Sequence, residues 1–386
     1  MEVYLSAGQR TAIGSFMGSL AQVSAPKLGA VAIEAALKKA HFEKNDVQEV
    51  FMGHVVQAGV GQAPARQAAL FAGLSDATPC TTVNKVCGSG LQAVILAAKS
   101  IMLDGIDVAI AGGMENMSLA PGLLPFYRSG FKFGTSEIKD SMQWDGLWDV
   151  YSNRPMGNCA EEAVKKYNLT REAQDEFAIN SFKRALEAQK NGSFQNEISA
   201  VVIKDKKGDI SITSDEGPSK VNFEKLPKLS PAFEKDGSIT AANASTINDG
   251  AAAIVLTSAK HKSKAQFRIV GWASHAQAPT WFTTAPVEAM KKNLRQCKLN
   301  ISQIDLFEIN EAFACVTMVA MKELEIPSER VNIFGGAIAL GHPIGCSGTR
   351  ILVTLMNAME KKAAKMGCAA ICIGGGEALS IIIERV

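Results

Sequence analysis

Cys87 sits in Asn84-Lys85-Val86-Cys87-Gly88-Ser89-Gly90, directly ahead of a long apolar run. A cysteine followed by small residues at a strand-to-helix boundary is placed to act as a nucleophile. Backbone N–H groups there point at the sulfur, and the helix dipole favours thiolate over thiol. Taken alone, the residue stands evenly between that role and a buried structural thiol, where most free cysteines belong. His342 is pinned between Gly341 and Pro343, and Gly lets the chain turn sharply where Pro holds it. A neutral imidazole near a thiol is a base and a hydrogen-bond donor; the plainer reading is a satisfied histidine in a tight turn. Cys372 ends an apolar strand before Gly374-Gly375-Gly376, and by itself reads as core. Those glycines are weak evidence for a phosphate loop, because the GxGxxG spacing with its following helix and acid is missing. Asn310-Glu311-Ala312-Phe313 puts an amide at a strand-to-helix junction, where an N-cap is the plain explanation.

A chain of 386 residues can bury two or three sizeable cores. The 47% hydrophobic and 20% charged content describes an ordinary globular protein. A net charge of +2 offers no general attraction to nucleic acid or membrane, so neither is expected as a partner. Eight cysteines follow an opening, Met1-Glu2-Val3, that reads as no signal peptide, so reduced thiols and a cytoplasmic location are expected. No Cys/His zinc spacing appears, and no apolar stretch reaches the roughly 18 residues of a spanning helix.

The chain looks duplicated. Glu34-Ala35-Ala36-Leu37-Lys38-Lys39 resembles Glu288-Ala289-Met290-Lys291-Lys292, and each precedes a turn and a strand (Val47 to Phe51, Ile304 to Phe307). Cys87-Gly88-Ser89-Gly90-Leu91 resembles Gly345-Cys346-Ser347-Gly348-Thr349, and each opens a helix. Each helix leads to an apolar strand ending in glycines and a glutamate, Glu115 or Glu377. Continuous apolar strands between amphipathic helices read as parallel sheets covered on both faces. Two such halves predict an α/β/α/β/α sandwich with central helices apolar all round. Equivalent turns then meet near a pseudo-dyad and bring Cys87, His342 and Cys372 together. The segment from about Leu119 to Ala241 belongs to neither repeat. Its one clear helix spans Arg171 to Lys190 with Thr170 as N-cap. An interruption this long reads as a lid or binding domain. The division expected is 1–118 with 242–267 as one half, 119–241 as an inserted loop domain, and 268–386 as the second half.

These segments together resemble the thiolase family over essentially the whole chain. The resemblance is carried by the Asn84–Gly90 motif, Gly112-Gly113-Met114-Glu115-Asn116-Met117-Ser118, and Asn243-Ala244-Ser245-Thr246-Ile247-Asn248-Asp249-Gly250-Ala251. It continues through Asn310-Glu311-Ala312-Phe313-Ala314, Gly335 to Gly348, and Cys372-Ile373-Gly374-Gly375-Gly376. It is most similar to short-chain acetoacetyl-CoA thiolases, and this implies reversible condensation of two acetyl-CoA to acetoacetyl-CoA and CoA. By resemblance Cys87 carries the acetyl group and Cys372 moves the C2 proton. His342 activates Cys87 and, with a water held by Asn310, steadies the enolate oxygen. The N–H groups of Cys87 and Gly374 form a second oxyanion hole. Leu147, Met156, Phe233, Ala312 and Phe313 match positions along the pantetheine path, Ser245 one that hydrogen-bonds it, and Lys220 a phosphate contact. CoA is thus implied as substrate and product, with no covalently bound cofactor.

The resemblance also has departures. Pro155 stands where many relatives carry His, and Phe334 where many carry Asn. Phe282, in Trp281-Phe282-Thr283-Thr284-Ala285-Pro286, takes the place of a Met beside the acyl group, as in a mitochondrial subtype that accepts a 2-methyl branch and binds potassium. Tyr151, Ala241, Ala242, Ala244 and Ile338 match that subtype's potassium positions. Residues 119–134 resemble a tetramerisation loop with Phe126, Tyr127, Phe131 and Phe133 as apolar anchors, so a homotetramer is implied. The alternatives weighed are a broader 3-ketoacyl-CoA thiolase and a non-catalytic acyl-CoA binding protein on the same scaffold. A ketosynthase is disfavoured by the second cysteine, and a dehydrogenase by the absence of a complete dinucleotide fingerprint.

Overall fold

The computed structural model describes residues 2–206 and 208–386. Its long strands are β1 (Val3–Thr11), β2 (Glu49–Gly53), β3 (Cys80–Val83), β4 (Val108–Asn116), β5 (Asn248–Ser258), β6 (Phe267–Ala276), β7 (Leu306–Ile309), β8 (Met366–Ile373) and β9 (Glu377–Arg385). They form one ladder in the order β7-β8-β9-β6-β1-β5-β4-β2-β3. The repeat is visible in it. From β1 the pairings through β5, β4 and β2 run antiparallel, antiparallel, parallel. From β6 the pairings through β9, β8 and β7 do the same. Within the ladder the two halves pair at Tyr4–Arg268 and Leu5–Phe267.

The sheets are therefore mixed, not parallel as the apolar runs suggested. β5 and β9 run against both neighbours. A continuous apolar strand reports burial on both faces, and helices cover both faces here whatever the strand direction.

The principal helices are α1 (Ala25–Ala40), α2 (Pro64–Phe71), α3 (Ser89–Leu103), α4 (Met156–Tyr167), α5 (Arg171–Lys190), α6 (Ala285–Cys297), α7 (Ala314–Leu324) and α8 (Ser347–Lys362). Side-chain alternation sorts the strands into layers. In β4, Ala109 and Ala111 join a central core with α3 and α8, while Val108, Ile110 and Met114 pack with α1 and α2. In β8, Ala369, Ile371 and Ile373 face the same central core, while Cys368, Ala370 and Cys372 pack among α6 and α7 residues. The five expected layers follow.

The central helices touch at their first turns. A Cβ on Gly90 would stand 2.8 Å from Thr349 N, and one on Gly348 would stand 2.4 Å from Leu91 N. These glycines serve backbone approach between the two halves. Sulfur access is a different matter, since a Cβ on Gly88 would meet Ile373 Cδ1 at 2.4 Å. α3 is apolar enough that Val86–Leu103 passes as an 18-residue spanning window of mean hydropathy 1.6, contrary to the expectation of no such stretch. Its place between two sheets accounts for that composition. α8 departs from the all-apolar expectation by burying Thr349, Arg350, Thr354 and Asn357.

The segment after β4 leaves the ladder and returns at β5. Thr170 caps α5 as expected, its Oγ1 accepting from Ala173 N at 3.1 Å. α4 went unread in the sequence. It starts directly after Pro155 and buries Cys159, Ala160, Ala163 and Val164 along one stripe. The segment is also tied to the first half. Ile198–Ser199 pairs with β1, and buried Arg10 reaches Glu197 at 2.6 Å and Asp215 at 2.7 Å.

Candidate active site

Cys87 follows a turn built by short-range hydrogen bonds. Asn84 Oδ1 accepts from Val86 N at 3.0 Å, and Ser89 Oγ accepts from Lys85 N at 2.8 Å while donating to Val86 O at 2.6 Å. Val86 is held at φ +46°, a costly conformation for a β-branched residue. The turn brings Cys87 to the floor of a cavity of about 480 Å³, which His342 and Gly374 also line. The N–H groups of Gly374 and of Cys87 itself lie against the sulfur and favour its ionised form. Burial outweighs them and pushes the thiol up to about 11. The resting group is a thiol, not the thiolate that the helix dipole alone suggested, because low-dielectric surroundings penalise the anion more than the dipoles help it.

His342 is set by three constraints. Its N–H donates to Asn248 Oδ1 at 2.9 Å. Gly341 is at φ +109°, and a Cβ there would stand 2.4 Å from Asn248 Cγ, so only glycine fits. Its Nδ1 is 2.5 Å from Ser347 Oγ, whose hydrogen goes to Pro343 O at 2.9 Å. A hydroxyl has one hydrogen, so Ser347 accepts from Nδ1–H and Nε2 keeps its lone pair. Nε2 is buried and has no hydrogen-bond partner among the described residues. Burial, then the charge of Arg350, pushes the imidazole down to about 3, so it is neutral.

Cys372 is fully buried at the end of β8. Burial first, then the neighbouring Cys87 and Cys315 sulfurs, raise it well above an ordinary thiol. Cys372 is not among the residues lining the cavity, although the charge of an ionised Cys87 is felt there. Asn310 follows β7, its N–H donating to Ala370 O at 3.0 Å. Its side-chain amide is buried with both polar atoms unpartnered. The N-cap reading fails, because α7 begins after Phe313 and has no side-chain cap.

Leu147, Met156, Phe233, Ser245, Ala312, Phe313 and Phe282 all line this cavity, and so does Pro155. An outer cleft of about 760 Å³ shares Phe233, Ala244 and Ser245 with it and continues to Lys220. Lys220 is exposed there and pairs with Glu216 at 3.5 Å. The two spaces form one path from surface to sulfur. Ala241, Ala242, Ala244 and Ile338 line the outer cleft. Tyr151 is not on that cleft; it stands beside Gly375 instead. The five expected potassium positions are not gathered around one cleft. A separate surface cleft of about 820 Å³ beside Lys183 and Lys362 has no thiol or imidazole among its lining residues.

Four positioning residues were not singled out in the sequence, though each lies inside a motif quoted above. Asn248 and Ser347 hold His342 as described. Glu115 accepts from Val55 N, Val56 N and Gly345 N at 3.0, 3.2 and 2.8 Å, with His54 Nε2 3.0 Å away. Glu311 accepts from Ser181 Oγ and Asn332 Nδ2, both at 2.7 Å, and from Ile338 N at 3.2 Å. Nothing in their local spacing states where those side chains end.

Comparison with known proteins adds independent findings. The thiolase N-terminal domain profile matches residues 3–260 and the thiolase C-terminal domain profile residues 263–385. The chain is 48% identical over 391 residues to an acetyl-CoA acetyltransferase of Schizosaccharomyces pombe, covering 100% of this chain and 99% of that one. Among solved structures it is similar to the Acat5 thiolase from Ascaris suum in complex with coenzyme A, with TM-score 0.95, 41% identity and both chains fully covered. It is also similar to the Bacillus anthracis acetyl-CoA acetyltransferase, with TM-score 0.97, 38% identity and 100% and 99% of the two chains covered.

Proposed function

The chain belongs to the thiolase family, and from that premise we propose how its own residues carry out the chemistry. The reaction is that of an acetyl-CoA C-acetyltransferase, an acyltransferase that reversibly joins two acetyl-CoA into acetoacetyl-CoA and CoA. Full-length relatives at 46–48% identity bear the name acetyl-CoA acetyltransferase or probable acetyl-CoA acetyltransferase. The observation that supports the residue roles is the convergence of Cys87, unpartnered His342 Nε2 and the Gly374 N–H on one cavity.

In the first half-reaction, the Cys87 proton moves to His342 Nε2 as sulfur attacks the thioester carbon. A high thiol and a low imidazole make a standing ion pair unfavourable, so proton transfer and bond formation run together. The oxyanion receives the N–H groups of Cys87 and Gly374; losing such a donor typically costs about 2.7–4 kcal/mol. The carbon–sulfur bond to CoA breaks, and the CoA sulfur takes the Cys372 proton. In the second, the Cys372 thiolate removes a C2 proton from the next acetyl-CoA. Its deep burial makes it a strong base once ionised. The protonated Nε2 faces the enolate oxygen, and the unpartnered Asn310 amide is suited to hold a water there. The carbanion attacks acetyl-Cys87, and the departing Cys87 sulfur recovers its proton from His342.

CoA is read as lying along the inner cavity and outer cleft. Its pantetheine arm passes Leu147, Met156, Phe233, Ser245, Ala312 and Phe313, and its phosphates reach Lys220. Phe282 closes the acyl end. Four of the potassium positions face the outer cleft without the fifth, so no step is assigned to an ion. Phe126, Tyr127, Phe131 and Phe133 are all exposed, which supports a homotetramer assembled through that loop. Replacing the four with serine should convert a tetramer mass to a dimer mass in light scattering.

Intact-mass measurement tests the roles. Acetyl-CoA should add about 42 Da, an acetyl group replacing the hydrogen of the Cys87 thiol. The adduct should vanish in Cys87→Ala and persist in Cys372→Ala, which should fail to condense. Acetylation of Cys87→Ala would overturn the assignment.

A further inference from the structure

Two catalytic turns come from opposite halves of the chain and meet at the cavity floor. One carries Cys87 and the other carries Gly374. Besides the Gly374 N–H against the Cys87 sulfur, one polar side-chain contact among the described residues bridges them: Lys85 Nζ lies 2.5 Å from Glu377 Oε2, between residues 292 apart in sequence. Resting on the functional reading above, we propose that Lys85–Glu377 is a positioning clamp that sets the spacing of the Cys87 and Gly374 N–H donors.

Both ends of the clamp stand on fixed backbone. Lys85 N donates to Ser89 Oγ at 2.8 Å, and Ser89 opens α3. Glu377 opens β9 and registers with Ile373 on one side and Ala276 on the other. A hydrogen-bonded pair between such points fixes the distance between turns. The Gly374 N–H against the Cys87 sulfur is itself the geometry to be held, and the remaining contacts, Gly88 on Ile373 and Val86 beside Gly374, are apolar with no directional preference.

The turn also needs a restraint. Val86, at φ +46°, joins Lys85 to Cys87, and a strained residue persists only where its surroundings over-determine it. Releasing the lysine leaves the strained link anchored on one side fewer. The donors then drift relative to the sulfur.

Neither Lys85 nor Glu377 lines the cavity, so the pair acts through the turns it joins. Their side chains are 25% and 35% exposed. A pair so placed is screened by water and adds little to stability. Its effect belongs in the transition state, where donor placement decides the rate.

Lys85→Met, Glu377→Gln, the double variant and Lys85→Arg are compared with the unmodified protein in acetoacetyl-CoA thiolysis. Each single neutral variant should lose about ten-fold in kcat, short of the roughly 10²–10³ lost when a donor is deleted. KM should stay within about two-fold, since uniform substrate binding is untouched. Tm should stay within about 2 °C. The double variant should be no slower than either single, and Lys85→Arg should keep more than about half the activity. The proposal is overturned by single variants with unchanged kcat, by losses that multiply in the double variant, or by kcat falling only together with Tm. Failure of the unmodified protein to form the Cys87 adduct would instead strike the functional reading itself.

Discussion

His342 and Ser347 form a short hydrogen bond, Nδ1 to Oγ at 2.5 Å, in which the hydroxyl has already committed its hydrogen to Pro343 O. This one relationship decides the tautomer of the imidazole. It leaves the Nε2 lone pair toward the cavity, as the base proposed above requires. Ser347 occupies the first turn of α8, the counterpart of Ser89 in α3. The duplicated motif thus supports the proposed nucleophile in one half and the proposed base in the other.

Ser347→Ala should release the ring to the other tautomer. A hydrogen bond of this kind is worth about 1 kcal/mol, so kcat for thiolysis should fall about five-fold or more. Steady-state kinetics at constant pH measures it. An unchanged kcat would show that the ring is held by other contacts.

The pH dependence of the free protein should lack an ordinary histidine limb. His342 is pushed down to about 3, so it stays neutral above that pH, and Cys87 is pushed up to about 11. Alkylation of Cys87 by iodoacetamide should therefore keep rising with pH toward about 11 without levelling near neutrality. A plateau below pH 8 would mean a preformed thiolate.

Glu308 is buried 3.6 Å from Arg350, and both of its oxygens lack hydrogen-bond partners. Burial, against the pull of Arg350, raises its carboxyl to about 8. The folded state therefore binds a proton that the unfolded state releases near pH 4.5. The resulting stability is full below that pH and is lost as pH rises through about 8. Glu308→Gln mimics the protonated form. Its Tm should match the parent near pH 4 and exceed it by several degrees near pH 8. The same Tm difference at both pH values would show a carboxyl ionised throughout.

Gly341→Ala combines a positive φ with a side-chain clash at Asn248, the residue that orients His342. It should lower stability by about 2 kcal/mol or more and lose most activity. Gly105→Ala makes a comparison, because its φ is also positive at +73° but a Cβ there meets nothing within 4 Å. It should lower Tm modestly and leave kcat alone. Equal kinetic loss in both variants would remove the link to Asn248.

Much of the site was legible before any coordinates. The repeat is visible in the ladder, the thiol precedes α3, and the glycine-flanked imidazole shares its cavity with Leu147, Met156, Phe233, Ser245, Ala312 and Phe313. α4 was missed because a helix entered at Pro155 has no capping side chain to announce it. Sheet direction was misread because β5 and β9 are buried on both faces, and apolar periodicity is blind to strand polarity. Asn310 looked like a cap because its neighbours in sequence suit one; only the fold shows α7 starting later. Tyr151 was grouped with Ala241 and Ile338, and the structure sets it beside Gly375.

The amino-acid order by itself determined the local choices: which runs are strand or helix, where the chain can turn sharply, and which side chains have reactive chemistry. These follow from side-chain period and backbone sterics over a few neighbouring residues. The tertiary structure alone decided the protonation of Cys87, Cys372 and His342, the tautomer Ser347 selects, and the meeting of two halves at Gly90 and Gly348. Those depend on how much water remains around a group and on which distant atoms approach it, and both arise only once the layers have closed.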